Sequence, residues 1–88
     1  MVQREFTICN SLGLHARPSA QLTQVAGQFQ CELWISKGGR RVNAKSIMGV
    51  LMLAAGKGAV VVVDAQGPDA EQALNAIGAL IASGFGED

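Results

Sequence analysis

The chain opens on alternation. In residues 2–9 the apolar Val2, Phe6 and Ile8 occupy even positions, which predicts a strand with one buried face. Asn10-Ser11-Leu12-Gly13 then breaks the pattern with turn residues. From Ala16 the period changes. Leu22, Val25, Ala26 and Phe29 follow the i, i+3, i+4, i+7 spacing of an amphipathic helix. Pro18 lies in its first turn, where a missing N–H does no harm. The opposite face carries Arg17, Ala20, Gln21 and Gln24 and is small and polar. Alternation returns in residues 31–37, with Cys31, Leu33 and Ile35 on one side. Lys37-Gly38-Gly39-Arg40 reads as a hairpin turn, because a Gly-Gly pair supplies the positive φ angles a tight turn needs. Residues 40–43 then form a short edge strand whose arginines discourage unwanted pairing. Residues 46–54 predict a short helix ended by Gly56-Lys57-Gly58. Residues 59–65, with four consecutive valines, predict a central strand. Gly67-Pro68-Asp69 opens a last helix with Pro68, Asp69 and Glu71 in its first turn. Its buried stripe is Ala70, Ala73, Leu74, Ile77, Leu80 and Ile81. Gly84 ends it, Phe85 folds back as an anchor, and the final residues of the tail fray.

The order is therefore β-α-β-β-α-β-α. Four strands with helices between and after them predict an α+β domain, one mixed or antiparallel sheet with its helices on one face. Eighty-eight residues predict a single domain spanning 1–88, with one modest core. A formal net charge of zero lacks the electrostatic footprint of a nucleic-acid binder. The distribution is less even than the total. Residues 1–57 hold seven basic and two acidic side chains, whereas residues 58–88 hold five acidic and no basic ones. A basic first portion suits an acidic protein partner or a phosphate better than a polyanion. Cys9 and Cys31 are too sparse for a disulfide framework and lack metal-site spacing, so both are expected as small buried hydrophobes. The first ten residues carry no apolar signal core and no run reaches the length of a membrane span, which predicts a cytoplasmic protein.

Candidate chemistry gathers at Gly13-Leu14-His15-Ala16-Arg17-Pro18-Ser19, which holds the chain's single histidine. Main-chain N–H groups at a helix start have no intrahelical partner, and the helix dipole places partial positive charge there. An imidazole at that spot, with Arg17 two residues on, can carry a phosphoryl group whose oxygens are already provided for. The competing reading is a loop histidine with no role. No second histidine is present and no cysteine or acid lies close by, which excludes a metal site or a hydrolytic triad. Two readings also stand for Ser46: an N-cap of the helix that follows, or a phosphorylation site whose charge changes the potential an acidic partner meets. That helix is apolar nearly all round. With Val50, Leu53 and Ala54 in the core, Ile47, Met48, Leu51 and Met52 are left as an exposed patch, and methionine suits a surface that accepts several partners. Gly56-Lys57-Gly58 follows a helix and lacks the spacing of a phosphate loop.

Gly13-Leu14-His15-Ala16-Arg17-Pro18 together with Lys45-Ser46-Ile47-Met48-Gly49-Val50, at this separation and chain length, resembles the histidine-containing phosphocarriers of the bacterial phosphotransferase system, the HPr family. The resemblance covers the whole chain. It implies an open-faced sandwich, a four-stranded antiparallel sheet covered on one face by three helices. It implies that His15 accepts a phosphoryl group on Nδ1 from phosphorylated enzyme I and passes it to a histidine of an enzyme IIA domain. Arg17 and the amides of Ala16 and Arg17 would hold the phosphate oxygens. Ala20, Gln24, Ile47, Met48 and Leu51 map onto the docking surface. Ser46 maps onto the site of HPr kinase/phosphorylase. A monomeric carrier with no cofactor and no catalytic turnover of its own is implied throughout. Leu12 stands where many sugar-branch carriers have a polar residue, which leaves no polar side chain there to meet the phosphate. The approach Asn10-Ser11-Leu12-Gly13 and the ending Ser83-Gly84-Phe85-Gly86-Glu87-Asp88 are similar to the nitrogen-related branch, NPr. The Lys45–Val50 string is similar to the serine-regulated carriers, so the branch stays open. The alternative function is a regulatory protein-binding module governed by the state of Ser46. A third is a small interaction domain that is not phosphorylated at all.

Overall fold

The valine-rich strand lies inside the sheet, as its continuous hydrophobicity requires. In the computed structural model, which describes residues 1–86, β1 (Val2–Thr7), β2 (Glu32–Lys37), β3 (Arg40–Asn43) and β4 (Val60–Gln66) form one sheet in the order β1-β4-β2-β3. Every pairing is antiparallel, which resolves the mixed-or-antiparallel alternative. Helices α1 (Ala16–Ala26), α2 (Ile47–Met52) and α3 (Ala70–Ala82) complete the open-faced sandwich, and a 3₁₀ turn spans Gly84–Gly86. Glu87 and Asp88 lie outside the described residues, and with them the expected fraying of the tail.

Register explains the single core. Val2, Phe6, Val61, Val63, Ala65, Leu33, Ile35 and Val42 all fall on one sheet face, because Val2 pairs Ala65, Phe6 pairs Val61, and Ile35 pairs both Val63 and Val42. Leu22 and Ala26 of α1, Val50 of α2, and Ala73, Leu74, Ile77 and Ile81 of α3 close over that face. Leu80, placed in the buried stripe by its spacing, is only half-buried. Gly78 lets α3 approach the sheet: a Cβ there would lie 2.7 Å from the Phe6 ring. Both residues of the Gly38-Gly39 turn have positive φ (56° and 86°), as the hairpin reading requires.

Three local expectations are corrected. Cys9 is exposed, not buried. Ile8 continues the inward alternation past the end of β1, so Cys9 turns outward, and its Sγ donates to the Ile81 carbonyl at 3.2 Å. Helix α2 stops at Met52, short of Ala54 and before any glycine. Ala54 itself takes the left-handed conformation (φ 50°) and is exposed, and the core position falls to Ala55 instead. Pro68 and Asp69, expected in the first turn of α3, precede it: Asp69 is the N-cap residue, and its side chain, which makes no bond to the helix's own amides, ties the fold together instead. Its two carboxylate oxygens accept from the amides of Gln30 (2.8 Å) and Cys31 (2.9 Å). These bonds, Gln30 first, hold its carboxyl below the usual range. The Cys31 thiol is pushed up by burial, then by its hydrogen bond to Asp69 and by that carboxylate's charge.

The chain's end shows how burial offsets strain. Gly84, Phe85 and Gly86 all have positive φ, and Phe85 at 58° is a non-glycine in that region. A left-handed L-residue costs roughly 1–2 kcal/mol, while burying a phenylalanine contributes roughly 1.5–3 kcal/mol. Phe85 is 2% exposed, so the burial wins and the side chain anchors the terminus as expected.

Candidate functional site

His15 is the N-cap of α1, in extended backbone (φ −86°, ψ −167°), and is half-buried. The loop that presents it is held from several sides. Gly13 takes φ 67°, and a Cβ there would run into the Ala55 carbonyl oxygen and lie 2.6 Å from Gly56 Cα. Only glycine fits that turn. Leu14 N–H donates to the Ala55 carbonyl at 2.8 Å. The Asn10 side-chain amide donates to the Gly13 carbonyl at 2.9 Å. On the helix side, Ser19 N–H closes the first turn onto the His15 carbonyl at 3.0 Å, and Ser19 Oγ donates to the Leu14 carbonyl at 3.3 Å.

The helix start is electropositive by construction. The amides of Ala16 and Arg17 occupy the first two helical positions and have no intrahelical carbonyl to meet; Pro18, the third, has no N–H. No acidic side chain lies in the first turn of α1. The macrodipole there is equivalent to roughly half a positive charge. Arg17 is exposed, and its guanidinium has no ion-pair partner among the described residues. The surroundings are open as well: Leu12, Ala16 and Arg17 are all exposed. An anion on the imidazole would thus meet two amides and a mobile cation in water, a setting that stabilises it modestly and leaves it accessible to a partner.

The predicted patch is present. Ile47, Met48 and Met52 are 41%, 66% and 59% exposed, Leu51 is half-buried, and Val50 and Leu53 are buried. Helices α1 and α2 pack against each other, so this patch lies on the helix whose neighbour begins at His15. On α1, Arg17, Ala20 and Gln24 follow an i, i+3, i+7 stripe, with Arg17 and Gln24 exposed and Ala20 half-buried. Leu12, at 73% exposure, adds an apolar side chain on the approach to His15.

Ser46 caps α2: its Oγ accepts from Gly49 N–H at 3.2 Å, and the residue is exposed. The basic residues near it in sequence are spent elsewhere. Arg40 donates to the Met52 carbonyl at the opposite end of α2 (3.1 Å). Lys45 Nζ donates to the Phe29 carbonyl (2.8 Å). Arg41 pairs with Asp64 (3.2 Å) on the open sheet face and stacks over Trp34, 4.5 Å from the ring centre. Sequence proximity gave no sign of these destinations, since they depend on pairing across the sheet.

Among the described residues no group of three or more histidine, cysteine or acidic side chains could hold a metal, and no helix is long and apolar enough to cross a membrane. The family model for the PTS HPr component phosphorylation site matches residues 2–83. The chain is 58% identical to the phosphocarrier protein HPr of Cupriavidus necator over 87 residues, covering 99% of this chain and 98% of that one. It is 42% identical to the phosphocarrier protein NPr of Shewanella violacea over 86 residues, covering 98% and 94%. The crystal structure of HPr-C-His from Thermoanaerobacter tengcongensis superposes with a TM-score of 0.96 at 44% identity, covering 100% of this chain and 99% of that one.

Proposed function

The chain belongs to the HPr phosphocarrier family of the phosphotransferase system, and from that premise we propose that His15 is its phosphoryl acceptor and donor. The observation that carries the reading is the position of His15 as the cap of a helix start that has two unclaimed amide positions, a nearby arginine and no acid. A histidine of phosphorylated enzyme I gives up its phosphoryl group, and the new P–N bond forms on His15 Nδ1. The Ala16 and Arg17 amides and the Arg17 guanidinium take the oxygens. A histidine of an enzyme IIA domain then attacks in line from the open side, and the His15 P–N bond breaks. Stabilisation must stay modest in both directions, because a carrier that held its phosphate tightly would not discharge. The half-exposed setting of His15 suits that balance.

Ala20, Gln24, Ile47, Met48 and Leu51 form the surface on which both partners dock. The exposed methionine and isoleucine supply apolar contact, and the small Ala16 and Ala20 let a partner approach closely. The protein acts as a single-domain monomeric carrier in the cytoplasm and needs no cofactor. The exposure of Ser46 beside that patch favours a second role for the same surface: phosphorylation by HPr kinase/phosphorylase adds roughly −1.5 to −2 charges to it and weakens docking of acidic partners.

Incubation with enzyme I and phosphoenolpyruvate tests the reading. The expected result is a mass gain of one phosphate that is acid-labile and absent in His15→Ala. An unmodified wild-type chain beside a competent enzyme I would remove the proposal. In the parallel arm with kinase and ATP, an acid-stable phosphate should appear and vanish in Ser46→Ala. Labelling that survives the substitution assigns the kinase site elsewhere.

A further inference from the structure

Helix α2 ends without the usual means. The Leu53 and Ala54 amides reach back to the Val50 and Leu51 carbonyls, and the left-handed position after the cap, where glycine is usual, is taken by Ala54 (φ 50°), so the carbonyls of Met52, Leu53 and Ala54 lie beyond the helix's own bonds. Two cations meet those carbonyls instead, and they come from the two sides of the Gly38-Gly39 hairpin. Arg40 donates to the Met52 carbonyl at 3.1 Å. Lys37 Nζ reaches the Leu53 and Ala54 carbonyls, each at 3.4 Å. The next carbonyl in the chain, that of Ala55, receives the Leu14 N–H, and it is the atom against which Gly13 is packed too closely for any side chain. The hairpin therefore grips residues 52–54, residue 55 carries the turn at residues 13–14, and that turn delivers His15 to the start of α1.

We propose that Lys37 and Arg40 are positioning residues for His15: they fix the end of α2, and through the Ala55 carbonyl they fix the loop that presents the imidazole. The inference rests on the reading of His15 as the phosphoryl acceptor. Neither residue touches the phosphate. The consequence reaches the chemistry because in-line transfer tolerates little misplacement of the attacking nitrogen. Cationic partners are suited to the task, since lysine and arginine at a helix C-terminus meet both the unpaired carbonyls and the negative end of the dipole.

The test compares Lys37→Met/Arg40→Met with wild type, the two single variants and Lys37→Arg, by amide hydrogen exchange and by transfer kinetics from phosphorylated enzyme I. The Leu14 amide of the double variant should exchange roughly tenfold faster, while the Ile8 amide, bonded to the Ala59 carbonyl, keeps its wild-type rate. The kcat of transfer should fall roughly tenfold with little change in KM, the single variants should lie between, and Lys37→Arg should stay near wild type. An unchanged Leu14 rate overturns the proposal whatever the kinetics give, and so does an equal acceleration at Leu14 and Ile8, which would mark general loosening. A KM-only effect that added salt abolishes overturns it too, by assigning the charges to docking. Failure of the wild-type chain to accept phosphate defeats the His15 reading instead, and the exchange rates still decide whether the hairpin holds the loop.

Discussion

The starts of α1 and α3 are built from opposite choices. Helix α3 opens with Asp69 as its N-cap residue and Glu71 in its first turn, acids that a helix start favours, and Glu71 is further tied to Arg4 at 3.2 Å. Helix α1 opens with a histidine cap, no acid and an arginine at its second position. An arginine there opposes the dipole, where a carboxylate would contribute about 0.3–1 kcal/mol. One helix start is optimised for the folded state. The other forgoes that stabilisation and leaves its positive end without an acid, as the proposed phosphoryl carrier requires. The difference sets the proposed site apart more sharply than exposure or burial does.

Making the two starts alike is the strongest way to break the comparison. Arg17→Glu gives α1 the acidic first turn of α3. Phosphoryl transfer through His15 should fall roughly a hundredfold or more, since a stabilising donor is replaced by a repelling charge. Stability should hold or rise by about 0.3–1 kcal/mol at low ionic strength. Transfer rates and urea midpoints on the same preparation check both arms. A variant that loses stability and keeps its transfer rate would mean that α1's start serves the fold.

A smaller effect sharpens the assignment. Met48→Asp also introduces a negative charge, but on the proposed docking patch, where Met48 is 66% exposed, and not at the helix start. It should slow transfer about tenfold, through KM, because it desolvates poorly and repels an acidic partner. Unfolding should shift by no more than about 0.5 kcal/mol. If Arg17→Glu and Met48→Asp change KM and kcat in the same proportions, charge at the interface explains both and the special status of the α1 start is lost.

Much of this was legible in the residues. Alternation or helical spacing placed β1, β2, α1 and α3, the valine run placed β4, and the hairpin and glycine breaks placed β3 and α2. The Gly-Gly pair announced the hairpin, and His15 stood out because a helix start is recognisable from Pro18 and the period that follows. Legibility failed where the cause lies far away in sequence. Nothing local tells that the carbonyls at the end of α2 meet Lys37 and Arg40, which sit on a hairpin a dozen or more residues earlier. Nothing local tells that Gly13 is required by Ala55, or Gly78 by Phe6. Cys9 was misplaced because residue type was weighed above the alternation, which runs on to buried Ile8 and already turns Cys9 outward. Asp69 was legible as a helix-start acid but not as the acceptor for the Gln30 and Cys31 amides, which lie 39 and 38 residues away.

That second role of Asp69 gives the smallest effect and the one with a defined pH window. Its carboxyl is held below the ordinary value of 3.8, chiefly by the Gln30 amide. A carboxylate whose folded pKa is depressed contributes stability that is full above the unfolded pKa and is lost as pH falls through the folded one. The unfolded chain binds this proton first on acidification, so the penalty for folding with a charged Asp69 grows only below the ordinary carboxylate range. Asp69→Asn removes the charge at every pH while keeping one acceptor oxygen. Its Tm should therefore lie below wild type at neutral pH, by an amount that stays constant down to about pH 5 and shrinks below about pH 4. Subtracting one melting series from the other cancels the other carboxylates to first order. A gap that persists unchanged into strong acid would show that the Asn side chain disturbs the residue 30–31 loop sterically, and that the charge at the start of α3, unlike the charge missing from the start of α1, does not matter.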